Sequence, residues 1–173
     1  MLLFKRAFLV LIGLTLAGCG FQPLYGVRDN TRVIEDFSFI TVAPMADRLG
    51  QQLQNELERL LHPNGKAPRE RYRLNAELTE SKSSLAVKKS AFATRANLEV
   101  TAKYILTQSY IGDNRFASTN SITVSYNIYD SQFATLMAEK DARKRAVREL
   151  AQEIRIRLAV YLRDPTKTTP GKP

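Results

Sequence analysis

Three stretches of this chain alternate apolar and polar residues with a period of two. Tyr72, Leu74, Ala76 and Leu78 are separated by Arg73, Asn75 and Glu77; Leu98, Val100, Ala102, Tyr104 and Leu106 alternate with Glu99, Thr101 and Lys103; Ile122, Val124, Tyr126 and Ile128 alternate with Thr123, Ser125 and Asn127. Such alternation predicts strands with one apolar face and one face that is wet or covered by something polar. Gly112-Asp113-Asn114 predicts a hairpin between the second and third. The link between the first and second, around residues 80–96, carries little apolar weight and reads as a longer connection.

Elsewhere the period changes. Met45, Leu49, Leu53, Leu57, Leu60 and Leu61 recur at three and four, which predicts an amphipathic helix with Asp47 in its first turn and Pro63-Asn64-Gly65 as its stop. A long second helix, from about Phe133 to Leu162, has Val147, Leu150, Ile154, Leu158 and Tyr161 as its buried stripe. Asp141 to Arg145 and Glu153 to Arg157 are supporting i,i+4 pairs on its surface. Before the first helix, Ile34 to Ala43 is rich in β-branched and aromatic residues and ends at Pro44, so it reads as a strand. The predicted order is β-α-β-β-β-α. Two amphipathic helices cover only one face of such a sheet, so the fold class is α+β, a two-layer α/β sandwich: a four-stranded, mostly antiparallel sheet with both helices on one face.

The N-terminus follows neither pattern. Lys5 and Arg6 precede a largely apolar run from Ala7 to Leu16, and the small pair Ala17-Gly18 follows, the order of an export signal over residues 1–18. The run is about half the ~20 residues a membrane-spanning helix needs. Leu16-Ala17-Gly18-Cys19 resembles the lipobox of bacterial lipoproteins, in which the thiol takes a diacylglyceryl group and the chain is cut just before it. A lone cysteine is more often a small buried residue. Here charge, apolar run, small pair and thiol stand in the order an acylation site needs, and Cys19 is the only cysteine, so acylation leaves no thiol without a use. The covalent lipid on Cys19 is the only prosthetic group expected. In lipoproteins an Asp after the cysteine usually signals inner-membrane retention; Gly20 stands there instead and favours the outer membrane.

Cleavage before Cys19 removes 18 of 173 residues and leaves 155, a size for one domain with a real core. It also removes two of 26 basic residues and none of the 17 acidic ones, so the formal charge falls from +9 to +7. In the cytoplasm such a charge would suggest nucleic acid; export excludes nucleic acid and leaves phosphorylated lipid or an acidic protein surface. Residues 19–33 read as a lipidated tether, 34–163 as the domain, and 164–173, made of Pro, Thr, Lys and Gly, as a disordered tail.

Catalysis has little to stand on. His62 is the only histidine and lies before Pro63 at a helix end, where it reads as a capping or surface residue. The sequence holds no Cys/His cluster with metal spacing, no Gly-rich phosphate loop and no Gly-x-Ser-x-Gly elbow, so neither an enzyme nor a metal site is expected. Two basic groupings remain. Lys140, Arg143, Lys144, Arg145 and Arg148 are interspersed with Glu139, Asp141 and Glu149 and read as a solvated, salt-bridged helix face. Lys82, Lys88, Lys89 and Arg95 lie in a stretch with Leu85, Val87 and Phe92 and no acid from Ser81 to Asn97. Positive donors beside apolar groups suit an amphiphile with phosphates at one end and acyl chains at the other. An exposed hairpin kept soluble by lysines is the alternative.

Cys19-Gly20-Phe21-Gln22-Pro23-Leu24-Tyr25-Gly26 resembles the opening of the lipopolysaccharide (LPS)-assembly lipoproteins of the alphaproteobacterial LptE type, and the predicted element order matches that family across the mature domain. The resemblance implies a lipoprotein held by its lipid on the periplasmic side of the outer membrane. It implies as partners the large LPS-assembly β-barrel, which the domain plugs and helps to assemble, and LPS itself, with Lys82, Lys88, Lys89 and Arg95 as candidate contacts. The alternative is an accessory lipoprotein of a lipid-transport complex or a secretin pilot; a periplasmic hydrolase is a third reading, against which the missing catalytic groups speak.

Overall fold

The structure, a computed structural model, describes residues 35–65, 69–87, 93–110 and 114–163. The signal peptide, Cys19, the tether, the C-terminal tail, Lys88, Lys89 and the Gly112-Asp113 turn lie outside these residues. Strand β1 (Ile40–Val42) is followed by helix α1 (Arg48–Leu61), the strands β2 (Tyr72–Val87), β3 (Ala93–Gln108) and β4 (Asn114–Asn127), and helix α2 (Gln132–Arg163). The sheet order is β1-β2-β3-β4. β1 runs parallel to β2, from Ile40 opposite Tyr72 to Val42 opposite Leu74, and the other neighbours are antiparallel. A parallel pair needs a crossover, and α1 supplies it.

Two differences from the sequence reading concern strand length. Residues 35–38 form a helical turn, closed by the Ser38 hydroxyl donating to the Glu35 carbonyl at 2.6 Å, so only three residues of the run from Ile34 to Ala43 pair as a strand. Phe37, on that turn, is still buried. The polar stretch at residues 80–96 is for the most part strand: β2 and β3 stay paired out to Val87 opposite Ala93, with the register slipping between Ser84 and Val87. The backbone ladder needs no apolar side chains to continue, and along residues 80–84 nothing apolar marks it.

The apolar parity of each strand turns to the helices. Leu74, Leu98, Val100, Ala102, Leu106 and Val124 are buried with Leu53, Leu57 and Leu61 of α1 and Val147, Leu150, Ile154 and Leu158 of α2 in one core. Ala142 and Ala146, fully buried, let α2 come close to its neighbours. Within the core, Tyr104 donates its hydroxyl to Asn120 at 2.7 Å, and Asn120 donates to Glu153 at 3.4 Å, which holds Arg157 at 3.3 Å. Burial pushes the Tyr104 phenol up to about 12. Phe116 stacks on Tyr161 at 5.1 Å between centroids.

Asp47 is the N-cap of α1, accepting from the Gly50 amide at 3.2 Å. At the other end His62 is the C-cap, with its Nε2 2.8 Å from the Ile40 carbonyl, so the histidine ties α1 to β1. Gly65, at φ 93°, takes the left-handed conformation that turns the chain after the helix. Gly50 is needed for space. A Cβ there would stand 2.6 Å from both the Met45 Cβ and the Asp47 Oδ1. Gly50→Ala is therefore expected to lower stability by about 1–2 kcal/mol, although alanine is the better helix former by about 1 kcal/mol. Thermal melts check it: a Tm that holds or rises would mean that the N-cap loop moves aside freely.

Candidate functional site: an open polar sheet face and a charge cluster under the hairpin

With both helices on one side, the odd-numbered residues of β2, β3 and β4 form the other face of the sheet, and most of them are exposed. This face is built of hydroxyls, amides and isolated charges joined across the strands. Glu99 accepts from Ser121 at 2.8 Å and from Ser81 at 3.3 Å, Thr101 Oγ1 lies 2.9 Å from Ser121 Oγ, and Ser125 donates to Asn97 at 2.6 Å. Among the described residues Ile105 is its one exposed large apolar residue. The face is long and polar, and it offers donors and acceptors along three strands.

The hairpin residues divide. Lys82 is exposed but already paired within the fold. The parity that runs through Tyr72, Leu74, Ala76 and Leu78 continues to Glu80 and Lys82, and so carries both to the helix side of the sheet. There Lys82 donates to Glu139 of α2 at 2.5 Å and lies 3.6 Å from Glu80, while Arg143 donates its Nε to Glu80 at 2.7 Å and another guanidinium nitrogen to Glu139. Two cations and two carboxylates thus clamp the outer half of β2 to the start of α2. Arg95, by contrast, is exposed. It lines a shallow cavity with Asp141, Arg145 and Tyr129. Of the four proposed LPS contacts, the structure places Lys82 in an ion-pair cluster and Arg95 at the surface, and it does not bring the two together.

The charges of the cluster hold one another. Arg143, donating to Glu80, keeps that carboxyl below its ordinary value of 4.5, and Lys82 does the same for Glu139; Lys82 itself is raised above 10.5 mainly by Glu139. Tyr126, buried beside them, is raised by its burial. A lowered carboxylate contributes stability that is complete above its unfolded value and is lost as the pH falls through its folded value; a raised lysine contributes below its unfolded value and loses that contribution as the pH climbs past its folded one. The cluster is therefore fully effective between about 4.5 and 10.5. Arg143→Ala is expected to cost about 1–3 kcal/mol at pH 7, since it strips hydrogen bonds from two half-buried carboxylates. It should also flatten the loss of stability expected of the wild type below pH 4.5. Urea melts at neutral and acid pH decide; equal losses for variant and wild type on acidification would remove the cluster from the account.

The basic group on α2 also divides. Arg143 and Arg145 are paired, the latter with Asp141 at 2.9 Å, as a salt-bridged face requires. Among the described residues no ion pair holds Lys140, Lys144 or Arg148. No group of three or more His, Cys, Asp or Glu that could hold a metal occurs among the described residues, and none of their helices is long and apolar enough to cross a membrane.

The family model described as LptE, lipopolysaccharide-assembly, matches residues 34–158, which spans the sheet, both helices and the charge cluster. The chain belongs to the LptE family. It is thereby a member of a lipoprotein family of LPS assembly, with a place in the cell envelope at a membrane. Solved structures carry the same fold. A lipoprotein from Caulobacter crescentus superposes with a TM-score of 0.67 at 22% identity, covering 78% of this chain and 98% of its own. The rare lipoprotein B from Shewanella oneidensis gives 0.58 at 14%, covering 72% and 95%, and a minor lipoprotein from Acinetobacter baumannii gives 0.55 at 20%, covering 71% and 90%. No curated protein matches the sequence. The mixed four-stranded sheet with helices on one face is thus the LptE fold, as the sequence pattern and the opening motif led one to expect.

Proposed function

We propose that this LptE protein is anchored through a lipid on Cys19 to the periplasmic side of the outer membrane, that it binds and plugs the LPS-assembly β-barrel, and that it takes part in LPS delivery by binding rather than by catalysis. The observation that carries the reading is the open face of the sheet. Three long strands present hydroxyl and amide side chains that neither helix covers. The lumen of a many-stranded barrel is itself polar and wet, so such a face loses little on entering it and gains hydrogen bonds to the wall. The clamp between Lys82, Glu139, Glu80 and Arg143 supports the same reading, because it keeps the long β2–β3 ribbon rigid enough to be inserted.

Direct LPS binding belongs to this proposal through the remaining cations of the hairpin, Lys88, Lys89 and Arg95, which would meet the phosphates. Lys82 holds the ribbon in place instead. Neutralising those three residues is expected to lower LPS affinity by about tenfold, roughly 1.4 kcal/mol, with Tm unchanged, and the binding should weaken with salt because exposed charges are screened within about 10 Å at 0.1 M. Lys82→Gln should do the reverse, lowering Tm while LPS affinity holds. Calorimetric titration with LPS and parallel melts separate the two roles. An unaltered affinity in the triple variant would return these three cations to the role of keeping the hairpin soluble.

A further inference from the structure

Helices α1 and α2 run side by side in the same direction, and a groove follows their outer seam. Its first stretch, of about 380 Å³, has Leu49, Leu136 and Met137 as apolar wall and Arg48 and Lys140 at its rim. The second, of about 350 Å³, has Lys144 and Arg148 opposite Glu56. Gln52 lines both stretches, so they form one path. On α2 the path runs from Leu136 to Arg148, about 18 Å at 1.5 Å per residue.

Three features make this seam unusual among the surfaces of the molecule. The buried stripe of α2 begins only at Ala142, so the turns before it leave Phe133, Leu136 and Met137 exposed by 73, 58 and 46%. Arg48, Lys140, Lys144 and Arg148 take part in no ion pair among the described residues, and the one acid of the groove, Glu56, is already bound to Arg59 at 2.8 Å. The cations that could have been neutralised within the fold, Arg143 and Arg145, are neutralised. The charge left along the groove is therefore positive and uncompensated, and it follows directly on an apolar end. The side-chain oxygen of Gln52, buried at the junction, has no hydrogen-bond partner, which leaves an acceptor beside the path.

We propose that this groove binds one anionic glycerophospholipid of the surrounding membrane, with an acyl chain along Leu49, Leu136 and Met137 and its phosphate, which no headgroup cation compensates, between Lys140, Lys144 and Arg148. The order of the lining decides the occupant. A free phosphate would use the cations and leave the apolar end exposed, and a neutral lipid would use the apolar end and leave four cations unmatched. Lysine and arginine bind phosphate through charge-assisted bonds, while their stems and the neighbouring apolar groups cover the chain. The two stretches fall in the range of about 300–1,000 Å³ typical of a site for one small ligand, which suits a single chain and head. The site lies on the helix layer, on the opposite side of the molecule from the open sheet face, so it does not depend on the barrel reading.

The test uses the full acylated chain in phosphatidylcholine nanodiscs carrying a trace of phosphatidylglycerol with a photoreactive acyl chain, or the same probe built on phosphatidylcholine. After illumination, mass spectrometry should find the phosphatidylglycerol probe on the peptide around Leu136 and Met137, at least about tenfold above the phosphatidylcholine probe. Lys140→Gln with Lys144→Gln and Arg148→Gln should abolish that excess with Tm unchanged, and Met137→Gln should reduce it by removing the chain's contact instead. Equal labelling by both probes would mean mere proximity to the bilayer and would overturn the proposal. So would labelling that survives the triple variant, or labelling displaced by an acidic peptide or by LPS and not by unlabelled phosphatidylglycerol. The barrel takes no part in the assay, so failure here leaves the proposed plug standing, and failure of the plug leaves this site standing.

Discussion

Cys19→Ala is expected to remove the protein from the outer membrane. A protein whose only cysteine follows Leu-Ala-Gly has one position for a thioether-linked lipid, and alanine there should leave an uncleaved or unlipidated precursor. The size of the effect follows from the chemistry of the anchor. Each buried methylene contributes about 0.8 kcal/mol, so that a single myristoyl chain holds only marginally whereas several chains hold durably. Removing all of them leaves no helix among the described residues that could replace them by crossing the membrane. The variant should therefore leave the outer-membrane fraction and take up no palmitate on metabolic labelling, while the domain keeps its fold, because the core of the described residues is built from Phe37 to Tyr161. Palmitate incorporation at the wild-type level would move the anchor to some other residue and with it the proposed localisation.

The sequence made the core legible because burial imposes a period. Leu53, Leu57 and Leu61 on α1 and Val147, Leu150, Ile154 and Leu158 on α2 stand where the helical stripe puts them, and the even-numbered residues of the strands face them. The element order followed, and the opening motif after Cys19 pointed to the family that the match over residues 34–158 then established. Strand length was not legible in the same way. Where both faces of a ribbon are polar, as at Glu80 to Ser83, hydrogen bonding alone extends the strand and leaves no hydrophobic signature. The short β1 failed in the opposite direction: a run with strand composition contains a helical turn at residues 35–38, which a local Ser38 to Glu35 bond closes.

The site was legible only in part for a related reason. Lys82 stood with Lys88, Lys89 and Arg95 as one basic grouping in sequence, but charge composition does not say which face of a strand a residue occupies. The parity did. Lys82 continues the even series that begins at Tyr72, and that places it against α2 beside Glu139. In the same way Lys140, Lys144 and Arg148 looked like a salt-bridged face because acids alternate with them in sequence, whereas in space Glu139 and Asp141 turn to Lys82, Arg143 and Arg145. The groove between α1 and α2 had no sequence signal at all, since its two walls lie some ninety residues apart and only packing brings Arg48 to Lys140.

Crosslinking from the open sheet face is expected to give an all-or-none result. A photoreactive residue placed at Thr101 or Thr123 sits in the middle of that face, on β3 and β4, where no helix and no core residue depends on it. The fold should tolerate the change, because Thr123 is exposed and Thr101 makes a surface contact with the Ser121 hydroxyl, and such positions away from the core usually move stability by no more than about 0.5 kcal/mol. If the face lies against the wall of the LPS-assembly barrel, illumination of intact cells should trap a product of the size of this chain plus the barrel from both positions, and the purified barrel should carry this chain in near equal amounts. If Thr101 and Thr123 yield no product of barrel size in cells that contain the barrel, and this chain co-purifies with an inner-membrane transporter or a secretin, the plug is contradicted and the protein is an accessory lipoprotein of another envelope complex.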